Sequence, residues 1–165
     1  MDIVQARIDI INWMTGFVEQ PHPALDGWPP CPFARKARLD GQFDIREGKI
    51  DPYTDLMKVD MGDFMVIAYV YDPKQIDADR FNQQISNVNQ GFLVCRNIIA
   101  LADHPDAPEN VLGVSMNQGS YAIAFVQPLD KLNQFARQIA AKGYYDRWPN
   151  QYLDDLFQWR QDPRT

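Results

Sequence analysis

Apolar residues recur at helical spacing in several segments of the chain. The pattern predicts helices over residues 3–19, 79–101 and 129–142, and a final one that Pro149 opens. The second segment has the clearest stripe, with apolar residues three and four positions apart: Phe81, Ile85, Val88, Phe92, Cys95 and Ile99. Asp51-Pro52 is typical of a helix start and predicts one more short helix.

Other segments have the patterns of strands. Residues 38–45 alternate between apolar and polar, as in a half-buried strand. Residues 64–71 are continuously apolar and favour a central strand that is covered on both faces. Residues 111–116 and 121–126 flank Asn-Gln-Gly-Ser, which predicts a β-hairpin between them.

The order of these elements predicts an α+β fold. A strand, a helix, a strand-hairpin-strand and a second helix follow one another, as in a split β-α-β unit. The strand near residue 43 would complete a mainly antiparallel four-stranded sheet, giving a ferredoxin-like sandwich with extra N- and C-terminal helices. The length of 165 residues and the lack of a long linker favour a single domain over residues 1–165.

Composition narrows the classes of partner. Sixteen basic residues against 22 acidic ones give a net charge of −6, which opposes general nucleic-acid binding. No apolar run approaches the roughly 20 residues that span a bilayer, and the N-terminus lacks the apolar core of a signal peptide. Two cysteines are too few for a disulfide framework. We therefore expect a soluble, cytoplasmic protein with reduced thiols, and no membrane or nucleic-acid partner.

Residues 21–39, here called the Pro-rich segment, contain the main candidate site. The segment contains five of the twelve prolines and reads PHPALDGWPPCPFARKARL. Pro32 suits the first position of a helix, so Cys31 would be its N-cap residue. The candidate functional residues in the segment are Cys31, His22, Trp28, Arg35, Lys36 and Arg38.

Cys31 is the candidate nucleophile. A thiol at a helix N-terminus is near unpaired N–H groups, and Arg35 would add a positive charge one turn later, which favours the thiolate. His22 would then be the acid or base. The alternative is that Cys31 is a small buried hydrophobic residue held between prolines.

Arg35, Lys36 and Arg38 form a candidate anion site. Arginine binds carboxylate and phosphate through paired hydrogen bonds. The alternative is that these side chains pair with surface carboxylates such as Asp40. Trp28 would be an aromatic wall beside the site or a core residue. His22 and His104 belong to no ligand motif, so we predict no metal site, and the sequence specifies no cofactor.

A protein–protein adaptor is the competing function. It would use the Pro-rich segment and an uncharged amide face on the long predicted helix. That face consists of Asn82, Gln83, Asn87, Asn89 and Gln90. Side-chain amides can bond the backbone of a partner, although they are also ordinary surface residues.

The segment Cys31-Pro32-Phe33-Ala34 resembles the Leu-Cys-Pro-Phe-Ala motif of a bacterial family of unknown function. Asp79-Arg80-Phe81-Asn82 is similar to the start of that family's long helix. The resemblance implies a pocket around Cys31 and no particular reaction. Together these features favour a protein that binds a small anionic ligand at the Pro-rich segment, and Cys31 adds the option of cysteine-dependent chemistry.

Overall fold

The computed structural model describes residues 1–165 and has an α+β fold. The helices are α1 (Ile3–Trp13), α2 (Ala34–Leu39), α3 (Pro52–Met57), α4 (Ala78–Val88), α5 (Leu129–Ala140) and α6 (Asn150–Leu156). The strands are β1 (Phe43–Glu47), β2 (Val66–Tyr71), β3 (Ile98–Asp103), β4 (Asn110–Val111), β5 (Val114–Ser115) and β6 (Ala122–Pro128). None of the helices combines the length and the apolar composition needed to cross a membrane.

Four strands form a mixed sheet in the order β1-β2-β6-β3. β1 is parallel to β2, with Phe43 opposite Val66. β6 is antiparallel to both of its neighbours, β2 and β3. β2 is therefore paired on both sides, as its continuous apolar sequence predicts.

The ferredoxin-like topology is not confirmed. β2, α4 and β3 do form a split β-α-β unit, because β6 lies antiparallel between the two strands. The fourth strand, however, is β1, which precedes the unit in the chain and is parallel to β2. In a ferredoxin-like sheet all neighbouring strands are antiparallel. β1 therefore runs in the direction opposite to that of the corresponding edge strand in a ferredoxin-like sheet.

The predicted long helix over residues 79–101 is too long. α4 ends at Val88, a π-helical turn (Asn89–Leu93) and a 3-10 turn (Val94–Arg96) follow, and β3 begins at Ile98. Asn97 has a left-handed backbone (φ 60°) that turns the chain into the strand. The apolar spacing continues across this change, because β3 also needs buried residues.

Two strand predictions are also wrong in detail. Arg38 and Leu39 belong to α2, so β1 begins only at Phe43. The predicted hairpin between residues 111–116 and 121–126 does not form. β4 and β5 instead pair with each other across Leu112 and Gly113, both of which have positive φ, as a tight two-residue turn requires.

The sheet separates two cores. One face packs under α3 and α4. The other packs under α1, whose buried residues cluster with Ala68 and Val70 of β2 and Ile123 of β6. A third cluster joins α5, α6 and the β4–β5 hairpin to Leu25 of the Pro-rich segment. The second face is only partly covered, and the candidate site lies there.

Candidate functional site

The Pro-rich segment is a folded loop that is fixed to the body of the protein. The backbone N–H of His22 donates to the carbonyl of Trp28 (3.1 Å), which closes the loop around a 3-10 turn (Pro23–Leu25). The Tyr144 hydroxyl donates to the carbonyl of Pro30 (2.5 Å). The segment therefore has a defined position beside the C-terminal aromatic cluster, which consists of Tyr144, Tyr145, Trp148 and Phe157.

The helix that follows begins later than predicted. α2 starts at Ala34 with Phe33 as its N-cap, so Cys31 precedes the helix and does not cap it. The Cys31 backbone N–H donates to the carbonyl of Val18 (3.1 Å), and its own carbonyl accepts from Ala34 (3.2 Å). These bonds fix Cys31 between α2 and the π-helical turn (Met14–Val18) that follows α1.

Opposing effects act on the Cys31 thiol. Solvent reaches the residue, which is exposed. Burial of the sulfur among protein atoms nevertheless raises its pKa, although backbone N–H groups of Phe33 and Ala34 act in the opposite direction. The Glu19 carboxylate raises the pKa further. For reactivity the surroundings of the sulfur matter more than the exposure of the whole residue, so the thiol is protonated at neutral pH.

His22 has a structural contact of its own. Its Nδ1 atom accepts a hydrogen bond from the backbone N–H of Ala24 (3.2 Å), and its ring meets the edge of Phe17 with centroids 6.4 Å apart. No hydrogen bond joins it to Cys31. Its predicted role as an acid or base stays a prediction.

The basic cluster is divided between three environments. Arg38 binds Glu19 through two hydrogen bonds, Nε–Oε1 at 2.7 Å and Nη2–Oε2 at 2.9 Å. Lys36 pairs with Asp40 on the surface. Arg35 is exposed and makes no salt bridge with any carboxylate of the chain. The three cations therefore do not converge on one point in this structure.

Trp28 packs against the core. Its ring meets Tyr144 edge-on, with centroids 5.4 Å apart, and it contacts the C-terminal cluster. It does not line the cleft described next.

A cleft of about 290 Å³ opens on the partly covered face of the sheet, between α1, α2 and α5. Fourteen of its 18 lining residues are hydrophobic. The sheet forms the floor with Phe43, Val66, Leu101 and Phe125, one from each strand. Cys31, Phe33, Ala34, Lys36 and Ala37 form one wall, so the Pro-rich segment does contribute to a pocket.

Aromatic pairs border the cleft on two sides. Trp13 stacks on Phe125 with centroids 6.2 Å apart, and Phe33 stacks on Phe135 at 4.2 Å. Gln42 and Gln127 add two half-buried carboxamides, neither of which makes a hydrogen bond within the protein. An apolar pocket with a few available polar groups is typical of a small-molecule site.

Sequence reasoning missed most of this cleft. Phe43, Phe125, Leu132 and Phe135 follow the same periodicity as core residues, and all four remain partly exposed. No sequence signal distinguishes an apolar residue in a core from one in an open cleft. The two glutamines at otherwise apolar positions are the one signal that could have marked it.

The amide face of the adaptor hypothesis is partly used within the fold. Asn89 is buried, and its carboxamide exchanges two hydrogen bonds of 2.8 Å with the backbone of Ala100. Gln83 donates to Asn87 on the surface (2.8 Å). Binding of a protein partner to the rest of this face stays a prediction.

No group of three or more His, Cys, Asp or Glu side chains is arranged to hold a metal ion. His104 is buried, with Nε2 2.9 Å from the carbonyl of Ile76 and Nδ1 accepting from the backbone of Asp106.

Comparisons with protein-family models, curated proteins and solved structures found no match. The resemblance to the Leu-Cys-Pro-Phe-Ala family stays a prediction.

Proposed function

We propose that this protein binds one small amphipathic molecule in the cleft between α1, α2 and α5, with the apolar part inside and an anionic group at Lys36. The observation that carries the proposal is the cleft itself, with its volume of about 290 Å³ and its largely apolar lining. This volume is near the lower end of the range for small-molecule sites, which is roughly 300–1,000 Å³.

The apolar lining supports binding of an apolar body. The floor and both aromatic pairs present carbon surface to the cleft, and a ligand that covers this surface removes it from water. Such burial contributes about 25 cal/mol per Å². The stacked pairs also limit the shape of the cleft, because neither Phe125 nor Phe33 can turn without losing its partner.

The polar groups support one charged end. Lys36 is the one charged residue in the lining. It forms an ion pair with Asp40 in which both side chains are exposed. An exposed pair contributes at most about 1 kcal/mol, so the ammonium group can turn towards a ligand anion. Gln42 and Gln127 can donate to or accept from a polar group deeper in the cleft.

The test uses 8-anilinonaphthalene-1-sulfonate, whose apolar rings and sulfonate match the proposed ligand. We expect saturable fluorescence with one site per chain, and displacement by decanoate at lower concentrations than by decanol. Leu132→Trp, which fills the cleft from α5, should weaken binding about tenfold, equivalent to about 1.4 kcal/mol. Lys36→Gln should weaken decanoate about threefold and leave decanol unchanged, since an exposed ion pair is worth less than about 1 kcal/mol.

Lys74→Gln is the matched control, because Lys74 is an exposed lysine outside the cleft. It should bind both molecules like the original protein. A cooperative thermal transition must accompany the measurement, since loosely packed proteins also bind this dye. Equal binding by Leu132→Trp and the original protein would contradict the proposal.

A further inference from the structure

Arg160 lies in the C-terminal segment, away from the cleft. The Nε atom of its guanidinium donates to Oδ1 of Asn133 on α5 (3.2 Å), and its Cζ atom lies 4.8 Å from the ring centre of Phe157. The chain reaches this position through Trp159, whose φ of 67° is rare for a bulky residue. A strained turn thus returns Arg160 to α5.

Arg160 has no carboxylate partner. The single hydrogen bond of its side chain uses Nε, so both Nη groups are available. Arg38, whose side chain is likewise largely covered, shows the usual arrangement, in which Glu19 accepts from Nε and Nη2 together. A partly buried guanidinium without a counter-ion is unfavourable, because it loses water without gaining an opposite charge.

Two almost fully buried polar side chains complete the site. Asn133 is 5% exposed, and its Nδ2 atom has no partner in the protein, although its Oδ1 accepts from Arg160. Tyr145 is 9% exposed, and its hydroxyl has no protein partner either. Every fully enclosed side-chain polar atom of the protein is hydrogen-bonded, so these two groups are still reached by solvent and are open to a small anion. Both groups are donors, so each can add one hydrogen bond to an anion that the guanidinium attracts.

The electrostatics agree with this geometry. Burial lowers the pKa of Arg160 to about 10, and Tyr145 is the one ionisable group that acts on it. The charge of Arg160 in turn lowers the pKa of Tyr145, although burial dominates and raises it to about 12. Both groups therefore remain protonated donors at pH 7.

We propose that Arg160, Asn133 and Tyr145 form a second site that binds a small oxyanion, either a carboxylate or a phosphate. The two Nη groups would hold two oxygens, and Nδ2 of Asn133 and the Tyr145 hydroxyl would donate to the same anion. The site is independent of the cleft, which none of the three residues lines.

The experiment titrates the full chain with acetate and with phosphate at constant ionic strength. It follows the melting temperature and the side-chain amide signal of Asn133 by NMR. We expect a saturable rise in melting temperature, since an anion that binds the folded state alone stabilises it. Saturation with both anions indicates that the site accepts carboxylates and phosphates alike. Saturation with only one of them identifies which of the two classes the site binds.

Arg160→Gln should weaken the anion at least about tenfold, the scale of one charge-assisted hydrogen bond of about 1.5–3 kcal/mol. Tyr145→Phe should weaken it less and retains the ring, so it tests the site if the arginine variant does not fold. Arg80→Gln is the control, because Arg80 is an exposed arginine on α4. No saturable change in the Asn133 signal, or the same melting response in Arg160→Gln and Arg80→Gln, would overturn the proposal.

Discussion

Cys31 is subject to opposing influences that only its neighbours in space define. Two backbone N–H groups favour the thiolate, while burial and the Glu19 carboxylate favour the thiol. Arg38 does not stabilise the thiolate, because its guanidinium is already paired with Glu19. The net direction is a raised pKa, which opposes the predicted nucleophile.

The alkylation rate of the Cys31 thiol reports the direction of its pKa shift. In a Cys95→Ser background, Cys31 should react with iodoacetamide at pH 7 more slowly than a free cysteine, because a raised pKa leaves less thiolate. Glu19→Gln should accelerate the reaction, since it removes the negative charge that raises the pKa. The double variant Cys31→Ser/Cys95→Ser has no thiol and corrects for background labelling. Faster reaction than free cysteine would restore the nucleophile hypothesis.

Glycine is required at position 48 because the ring of Tyr71 lies against the backbone there. A Cβ atom there would lie 2.0 Å from Cε1 of Tyr71. Tyr71 is 7% exposed, and its hydroxyl donates to Asp55 (3.3 Å), so the ring has little room to move. We expect Gly48→Ala to lower the free energy of unfolding by about 1–3 kcal/mol, as overpacking does.

Denaturant unfolding measures this effect, and Gly16→Ala is its control. A Cβ at Gly16 meets nothing within 4 Å, and the residue lies in a helical turn. That variant should be neutral or more stable by up to about 1 kcal/mol. Equal stability of the two alanine variants would show that Tyr71 moves aside.

At the scale of elements, polar side chains occupy the edges of the sheet. On β3, the Asn89 carboxamide takes the place of a neighbouring strand at Ala100. On β1, the Asp44 carboxylate accepts from the backbone N–H of Ile45 (2.9 Å). Side chains that satisfy edge groups hinder pairing with another chain. The π-helical turn that ends α4 begins at Asn89 and positions it for this contact.

Asn89→Ala should therefore destabilise the fold by about 2 kcal/mol or more, because it leaves a buried N–H and a buried carbonyl of β3 without partners. Asn87→Ala removes an exposed amide from the same segment and should change stability by less than about 0.5 kcal/mol. Chemical denaturation compares the two, and hydrogen exchange at Ala100 should become faster in the first variant alone. Unchanged exchange there would contradict the assigned role.

At the scale of the whole molecule, the buried carboxylate of Asp103 and the half-buried one of Glu109 connect β3, the β4–β5 hairpin and α6. Asp103 accepts from the side chain of Asn117 and the backbone of Gln118, both at 2.9 Å. Glu109 accepts from the Tyr152 hydroxyl (3.0 Å). Burial raises the pKa of both carboxyl groups, and the charge of Asp103 raises the pKa of Glu109 further.

A raised pKa in the folded state fixes the sign of the pH dependence. The folded protein then holds the Glu109 proton more tightly than the unfolded chain, whose glutamate pKa is about 4.3. The contribution of Glu109 to the free energy of unfolding is thus most favourable below about pH 4. It becomes less favourable as the pH rises through the pKa of Glu109 in the folded state. Glu109→Gln keeps an acceptor for Tyr152, so it should be more stable than the original at pH 7 and equal to it near pH 4.

Thermal unfolding between pH 4 and pH 7 measures this difference. Glu47→Gln is the control of opposite sign, because the hydrogen bond and charge of Lys49 lower the pKa of Glu47. That variant should gain no stability at pH 7. A Glu109→Gln variant that is less stable than the original at pH 7 would contradict the prediction.

The α+β class and most elements could be predicted because each follows from local periodicity and end signals. Asp51-Pro52 opens α3, and the stripe on α5 ends before Gly143, as expected. The boundary between α4 and β3 could not be predicted, because the same apolar spacing continues from the helix into the strand. Of the candidate cleft, the sequence indicated only the wall that the Pro-rich segment forms, whereas the sheet and α5 form the rest.

The sequence by itself therefore determined the α+β class, most of the helices, the central strand β2 and the residues that could carry chemistry. Periodicity shows which face of an element avoids water, but not what covers that face. Only the tertiary structure decided that Glu19 pairs with Arg38, that β1 lies parallel to β2, and that no carboxylate reaches Arg160. Each of these depends on residues far apart in the chain, whose meeting is set by the packing of the whole fold.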